Sequence, residues 1–499
     1  MTEAEFQPAL RAGTNPSTTG GSPNRAATSD ILLTHGYFMR EDEAELKVNK
    51  PYPPLGLLYL TAFLRERGKR VDVFDSTFQS FPEFVRHVAD TKPHVVGFYV
   101  NMLTRRNVLR MIPVARDAGA LIVVGGPEPV NYPDEYLGAG AALIVKGEGE
   151  QTLDAVLEVI ARTRGTQADR SFSDCNFGAI DGLIYAGPSG QIETPDREKV
   201  ADLDSLPFPA RDAIDLRVYM DHWKAHHGAS SVSLITARGC PYTCRWCSHS
   251  VYGYSYRTRS PEDVAEEVRF IRDTYDPEQL WYADDVFSIN PKWLKRYARA
   301  LEERGLHLPF ETITREDRLD EGTIETLAAM GCYRLWVGAE SGSQKILDAM
   351  DRRTDAGRMR RMIALLQAKG IRVGTFIMFG YAGETWEDLN ATHQHLAESA
   401  PDDLLTTVTY PIKGTPYFDE VRSDIIARSS WQDGSDADHA TRFQKSTLFY
   451  FFTKLWMISG VRRSQTRRLR RPVGHLKSLL LAAIARTGMY VTWRLPGPS

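Results

Sequence analysis

Three of the five cysteines in this 499-residue chain fall within eight residues. They lie in Ala237-Arg238-Gly239-Cys240-Pro241-Tyr242-Thr243-Cys244-Arg245-Trp246-Cys247. Thiolates at CxxxCxxC spacing on one short loop can each ligate one iron of a four-iron, four-sulfur (4Fe–4S) cluster, leaving the fourth iron open to an exogenous ligand. The same sulfurs with His249 could instead form a Cys3His zinc site, although tight zinc sites usually draw on two separated ligand pairs. Cys175 and Cys332 stand apart. Cys332, in Met330-Gly331-Cys332 before a strand-like run, reads as a buried core thiol.

Composition sets the context for that loop. The chain is 42% hydrophobic and 25% charged, as soluble globular proteins are, which excludes a collagen, a mucin-like stalk and a wholly disordered chain. Five cysteines are too few for a disulfide scaffold. Residues 1–28 hold Glu3, Glu5 and turn formers without an apolar core, so they read as a disordered tail and not a signal peptide. No apolar run is long enough to span a membrane. The expected compartment is the reducing cytoplasm, where clustered cysteines bind metal.

The net charge of −3 conceals a segregation. Asp438 is the last acidic residue, and residues 439–499 carry 12 Lys plus Arg. Such a basic segment on an acidic body points to an anionic partner or to a solvated helical face covering the body.

Several elements must position the cysteine loop. From Asp30 onward, strand-like and helix-like stretches alternate with short turns: strands at 31–34, 71–75, 95–100, 121–124 and 143–145, and helices at 55–67, 81–90, 105–118 and 150–164. This alternation predicts a doubly wound parallel sheet over residues 29–165, with ligands at the carboxyl ends of the strands. Those ends carry Asp75, Asn101 to Thr104, Gly125-Gly126 and Gly147-Glu148. Residues 166–225 read as a connector with a hairpin near Gly182 to Gly190. A second alternation, over 226–430, has expected strands at 232–236, 279–283, 309–313, 334–339, 373–379 and 405–409. Six βα units in a row suggest an open or closed parallel barrel. The last segment, 431–499, holds two apolar helices with basic ends, around Thr447 to Ile458 and Leu476 to Ile484.

CxxxCxxC with Trp246 before the last cysteine resembles the radical S-adenosylmethionine (SAM) superfamily. The resemblance implies that the open iron binds SAM and that the second domain is a (β/α)6 partial TIM barrel. It places SAM contacts at strand ends: Asp284 and Asp285 after the second, Arg315 after the third, Glu340 and Ser341 at the fourth, and Gly380 at the fifth. Tyr410-Pro411-Ile412-Lys413-Gly414-Thr415-Pro416 follows the sixth. Lys50 to Gly56, Val124 to Pro127, Gly147 to Glu150 and Asp204 to Arg211 are similar to the Rossmann-like cobalamin-binding domain and connector of cobalamin-dependent members. That likeness makes Asp75, Asn101, Thr104, Gly125, Gly126, Gly147 and Glu148 candidate cobalamin contacts. It covers about residues 30–425.

One departure concerns the cobalt. Leu33-Thr34-His35-Gly36-Tyr37 lacks the Asp-x-His-x-x-Gly pattern of domains that ligate cobalt through histidine. The expectation is no histidine below the metal, with His35 a loop or core residue. The resemblance implies an enzyme using a 4Fe–4S cluster, SAM and cobalamin, served by an electron donor such as flavodoxin or ferredoxin. It reaches the anaerobic magnesium-protoporphyrin monomethyl ester cyclase branch, where methylating and non-methylating reactions both occur. The favoured outcome is methyl transfer to carbon; oxidation, cyclisation or rearrangement without methyl transfer is the alternative. A cobalamin-binding sensor is a third reading, which the intact cysteine loop opposes. A methylthiotransferase would need further cysteines before Cys175, and there are none. Phe449, Tyr450, Phe451, Phe452, Leu455 and Trp456 beside clustered arginines suit a lid over a hydrophobic small-molecule substrate, a peripheral membrane contact or a packed cap. Nucleic acid is not the expected partner of an acidic body without an RNA-binding module.

Overall fold

The computed structural model describes residues 29–164, 172–468 and 471–497. The expected disordered tail 1–28 lies outside the described residues. The N-terminal sheet contains β1 (Ile31–His35), β2 (Val71–Phe74), β3 (Val95–Tyr99), β4 (Leu121–Gly125) and β5 (Leu143–Val145). It continues with β6 (Leu183–Gly187) and β7 (Gly190–Glu193). Strand order is β2-β1-β3-β4-β5-β6-β7. The first five strands are parallel, which buries both faces and explains their continuous Val, Ile and Leu runs. The expected hairpin is present as β6 and β7. It joins antiparallel to β5, so the sheet extends past residue 165 into the stretch read as connector.

Helices Leu55–Glu66, Phe81–Thr91, Arg105–Asp117 and Glu150–Arg164 cover this sheet. Phe81–Thr91 starts on a capping box, in which Ser80 N–H donates to the Glu83 carboxylate at 2.6 Å. The chain steps outward from β1 to β2, then back across β1 to β3. Strand order therefore reverses there, and the carboxyl ends of β1 and β3 flank a crevice.

The second sheet contains β8 (Ser231–Leu234), β11 (Gln279–Tyr282), β12 (Phe310–Thr314), β13 (Cys332–Glu340), β14 (Arg372–Phe379) and β15 (Asp403–Val408). All six are parallel and lie in sequence order, with β8 and β15 at opposite edges. Between β8 and β11 a short ribbon pairs β9 (Ala237–Arg238) with β10 (Arg257–Thr258), antiparallel. The helices between strands begin on residues whose side chains accept the orphan N–H groups of a first turn: Ser260, Asn290, Asp320 and Asp355. Their inner faces close a core of Val232, Leu280, Phe310, Leu335 and Val373. Cys332 belongs to that core, as its sequence context implied.

The two sheets are tied together by polar contacts. Tyr219 donates to Asp75 at 2.8 Å, and Trp223 Nε1 donates to the Pro51 carbonyl at 2.7 Å. Glu267 is fully buried between Arg211 and Arg259. The chain ends in two long helices, Thr447–Arg468 and Pro472–Thr492. The first buries Phe449, Trp456, Met457 and Val461 against the second core.

Candidate functional site

The cysteine loop hangs from β8 and is closed at its base by the β9–β10 ribbon. Gly239 adopts φ +83°, and a Cβ there would lie 2.3 Å from the Ser255 carbonyl, so only glycine lets the two arms cross. Asp284, at the end of β11, holds the start of the loop. It accepts from Thr236 N–H at 2.7 Å, from Ala237 N–H at 3.3 Å and from the Thr236 hydroxyl. Its burial pushes the carboxyl up to about 6, against those donors. Asp284 is thus engaged in shaping the loop, whereas Asp285 faces it: its charge acts on both Cys240 and Cys247.

Cys244 is buried, Cys240 half-buried and Cys247 exposed. A turn sets the last two, with Cys247 N–H donating to the Cys244 carbonyl at 3.1 Å. Further anchors come from Arg245 N–H to the Met350 carbonyl and from Tyr417 N–H to the Arg245 carbonyl. Among the described residues no three Cys, His, Asp or Glu side chains are drawn together round one metal-sized point, so the thiols share a loop and not a finished cage. His249 lies with its ring on Tyr254, 4.4 Å between centroids.

Two buried arginines point at the Cys244 sulfur, Arg315 Nη1 at 3.5 Å and Arg352 Nη1 at 3.9 Å. Arg315 is otherwise engaged: it donates to Asp317 and to the Arg352 carbonyl, and its guanidinium lies 3.7 Å from the Tyr242 ring centroid. Sequence reasoning missed Arg352, whose Asp351-Arg352-Arg353 context reads as a solvated charge run. It also missed Glu316, a fully buried carboxyl without a hydrogen-bond partner among the described residues, which burial pushes up to about 7.

At the end of β13 the register with β14 shifts between Gly338 and Glu340, and Glu340 sits at φ +60°. A left-handed glutamate is strained, and such strain concentrates where a side chain must be aimed. Burial raises its carboxyl, which lies 3.9 Å from Arg352. Trp246 and Glu340 line one cleft of about 310 Å³ with Phe376, Met378, Thr407 and Tyr410. Ser341 is turned inward, engaged with Thr392 and Ser343 N–H. Gly380 has φ +74°, and a Cβ there would lie 2.5 Å from the Tyr450 hydroxyl of the first C-terminal helix.

A larger cavity of about 600 Å³ separates the two sheets. Its N-terminal wall includes Tyr99, Asn101, Gly125, Gly126, Gly147 and Glu148. Its opposite wall includes Ser233, Trp281, Ala283 and the base of the cysteine loop, Arg238 and Tyr252. The Tyr52-Pro53-Pro54 segment crosses it. At Gly126, φ is +103° and a Cβ would lie 2.5 Å from the Val100 carbonyl, so this wall stays bare backbone that a bulky ligand can approach. Among the described residues that line it there is no histidine. His35 is buried beside the crevice, 3.0 Å from Asp75 and hydrogen-bonded to Ser76. Asp75 and Thr104 lie off the cavity wall: Asp75 is shared by His35, Tyr219 and Thr77 N–H, and Thr104 exchanges hydrogen bonds with Asn101.

Glu148 lies on the wall, but its carboxylate is taken. It pairs with Arg238 at 2.7 Å and Arg257 at 2.8 Å and accepts Val200 N–H at 2.9 Å. Arg238 also pairs with Glu150 at 2.6 Å. These buried pairs clamp the N-terminal sheet to the ribbon beneath the cysteines. The Gly-Glu-Gly-Glu spacing showed the acids in the sequence, but their arginine partners lie about 90 and 109 residues away.

Comparison with known proteins matches both halves. The model of the radical SAM superfamily matches residues 234–396, and that of the B12 binding domain matches residues 46–157. The chain is 24% identical over 404 residues to an uncharacterised methyltransferase of Pyrococcus horikoshii, covering 79% of this chain and 84% of that one. It is 25% identical over 405 residues to the anaerobic magnesium-protoporphyrin IX monomethyl ester cyclase of Rubrivivax gelatinosus, covering 79% and 70%. The solved radical S-adenosylmethionine methyltransferase TsrM of Kitasatospora setae, with cobalamin and a 4Fe–4S cluster bound, shares the fold. Its TM-score is 0.65 at 19% identity, over 84% of this chain and 85% of that one.

Proposed function

This chain belongs to the cobalamin-dependent radical SAM enzymes, and we propose that it is a C-methyltransferase acting on an unactivated carbon of a small hydrophobic molecule. The observation that carries the proposal is the 600 Å³ cavity, walled by bare glycine backbone on one sheet and by the base of the three-cysteine loop on the other. In this reading the N-terminal sheet is the Rossmann-like cobalamin domain and the six-stranded sheet is a partial (β/α)6 barrel.

The residues present fit the cofactors. Cys240, Cys244 and Cys247 would hold the cluster, and N–H groups of two arginines face one of the sulfurs, as suits a thiolate ligand. Asp285 and Glu340 would meet the SAM amino group, and Trp246 and Gly380 would border SAM. Gly125, Gly126, Gly147 and Asn101 would receive cobalamin. When bound, the cluster and SAM supply a 5′-deoxyadenosyl radical that removes hydrogen from substrate, and methylcobalamin supplies the methyl group.

The chain's own task is to position and to exclude water. Asp284 fixes the loop's first residues. Arg315 and Arg352 lend positive charge beside Cys244. Glu148 and Glu150, through Arg238 and Arg257, hold the two cofactor walls in register. Tyr52, Tyr99, Tyr252 and Trp281 give the cavity apolar faces that suit a hydrophobic substrate. A flavodoxin or ferredoxin would deliver electrons, in a reducing cytoplasm.

The cyclase match favours a second reading, radical oxidation or cyclisation without methyl transfer. The test is anaerobic. Protein reconstituted with iron, sulfide and cobalamin receives SAM, a reductant and an extract of the source cells with its lipids. 5′-Deoxyadenosine and S-adenosylhomocysteine are then quantified together. Both rising in step with extract is the proposed result. Deoxyadenosine alone selects the second reading, and neither product overturns both.

A further inference from the structure

The last helix, Pro472–Thr492, has two unlike faces. Its inner face, with Ser478, Ala485, Met489 and Thr492 buried, packs on the first C-terminal helix. Gly488 admits the Phe452 ring, and Trp493 meets Phe449 at 5.3 Å between centroids. The outer face is apolar and uncovered. Val473, Leu476, Leu480, Ile484 and Val491 fall on one stripe at steps of three, four, four and seven residues, each 58–68% exposed. Tyr490 borders the stripe at 71% exposure, and Leu448 and Phe451 of the first helix stand exposed at the same end of the hairpin. Single exposed apolar residues are ordinary; five on one helix face, interrupted at Thr487, mark an interaction surface.

The charges around the stripe select its partner. The chain has no acidic residue after Asp438 and 12 basic ones. Lys477 is exposed on the helix and Arg494 just past its C-terminal end, and Arg462, Arg463, Arg467 and Arg471 are exposed near the turn of the hairpin. A second copy docked by a twofold axis would bring this same cationic patch against itself, like charge on like. Anionic headgroups complement it. Among the described residues no helix is long and apolar enough to cross a membrane, so the geometry is that of a helix lying in the interface, with Lys and Arg reaching the headgroups.

We infer that the outer face of helix Pro472–Thr492 docks on an anionic lipid bilayer. The hairpin that carries this face begins at the catalytic strand ends: Gln444 Nε2 donates to the Thr409 carbonyl after β15, and Tyr450 abuts Gly380 after β14. Docking therefore fixes the active site close to the bilayer. The inference is independent of which reaction the site performs.

Vesicle flotation with the full chain tests it. Vesicles of phosphatidylcholine alone are compared with phosphatidylcholine mixed with phosphatidylglycerol, at low and high salt. The expected result is binding to the anionic vesicles about tenfold or more above the neutral ones, weakened by salt. The double variant Leu480→Asp/Ile484→Asp, altered only at exposed positions, loses about tenfold of that binding with unchanged circular dichroism. Lys477→Glu/Arg494→Glu loses the preference for anionic vesicles. No flotation of the wild type with anionic vesicles, or undiminished flotation of the aspartate variant, overturns the inference. A wild-type dimer that the aspartate variant dissociates, without vesicle binding, assigns the face to a second copy and also overturns it.

Discussion

Replacing Glu148 by glutamine should loosen the ribbon beneath the cysteine loop. The carboxylate has 6% side-chain exposure and joins Arg238 to Arg257. Arg238 keeps Glu150 as a partner, whereas Arg257 has no other carboxylate among the ion pairs of the described residues. Removing one partner of a buried pair costs about 3–5 kcal/mol. Glutamine retains an acceptor for Val200 N–H, so the lower end, about 3 kcal/mol, is expected. At ~1.4 kcal/mol per tenfold, that is over a hundredfold in local opening. Hydrogen–deuterium exchange of peptides covering residues 237–258 reads it as lost protection at pH 7. The pH dependence has a fixed sign. Burial alone would raise Glu148, but hydrogen bonds from Arg257 and Arg238 outweigh it and hold the group below its ordinary 4.5. Its contribution is complete above about pH 4.5 and is lost as pH falls through the lower folded-state value. The gap in protection between wild type and variant should therefore be flat near neutrality and narrow on acidification. Unchanged protection at pH 7, or a gap that widens in acid, would refute the clamp.

Two further outcomes follow from the same geometry. Arg352→Gln removes a buried cation beside Cys244, so the cluster midpoint in an EPR-monitored titration should move tens of millivolts more negative, since ~1.4 kcal/mol corresponds to 59 mV for one electron. Arg352→Lys should recover part of that shift, and an unchanged midpoint in the glutamine variant contradicts the role. Gly126→Val places side-chain atoms against the Val100 carbonyl and the Tyr99 ring, so the purified protein should retain little cobalamin by absorbance while binding its full complement of iron; full cobalamin retention contradicts the placement.

Much of this arrangement was legible in the chain. Runs such as Val95-Val96-Gly97-Phe98-Tyr99, alternating with helical stretches, read as buried parallel strands, and their turns place Asn101, Gly125 and Gly147 at one edge. The cysteine spacing carries its chemistry locally, so it needs no tertiary knowledge. What stayed hidden depends on side-chain direction and distant partners. Asp75 and Asn101 both follow strands, yet Asp75 turns to His35 and Tyr219 while Asn101 reaches the cavity. Glu148 looked like a ligand group because its arginines come from the other domain. Asp284 and Asp285 are adjacent in sequence, but one is spent on Thr236 and Ala237 and the other faces the cysteines. The left-handed Glu340 gave no signal, since non-glycine residues rarely adopt that conformation. The hairpin β6–β7 was visible, but its pairing with β5 was not, because pairing partners are chosen by tertiary packing.

The central claim is that three cysteines of one loop drive reductive cleavage of SAM in a protein that also holds cobalamin. The direct measurement compares wild type with Cys240→Ala/Cys244→Ala/Cys247→Ala, both reconstituted anaerobically and given SAM and reductant, with 5′-deoxyadenosine and bound cobalamin quantified in each. The account predicts deoxyadenosine from the wild type, none from the variant, and cobalamin retained by both. Deoxyadenosine from the triple variant at the wild-type level would contradict it.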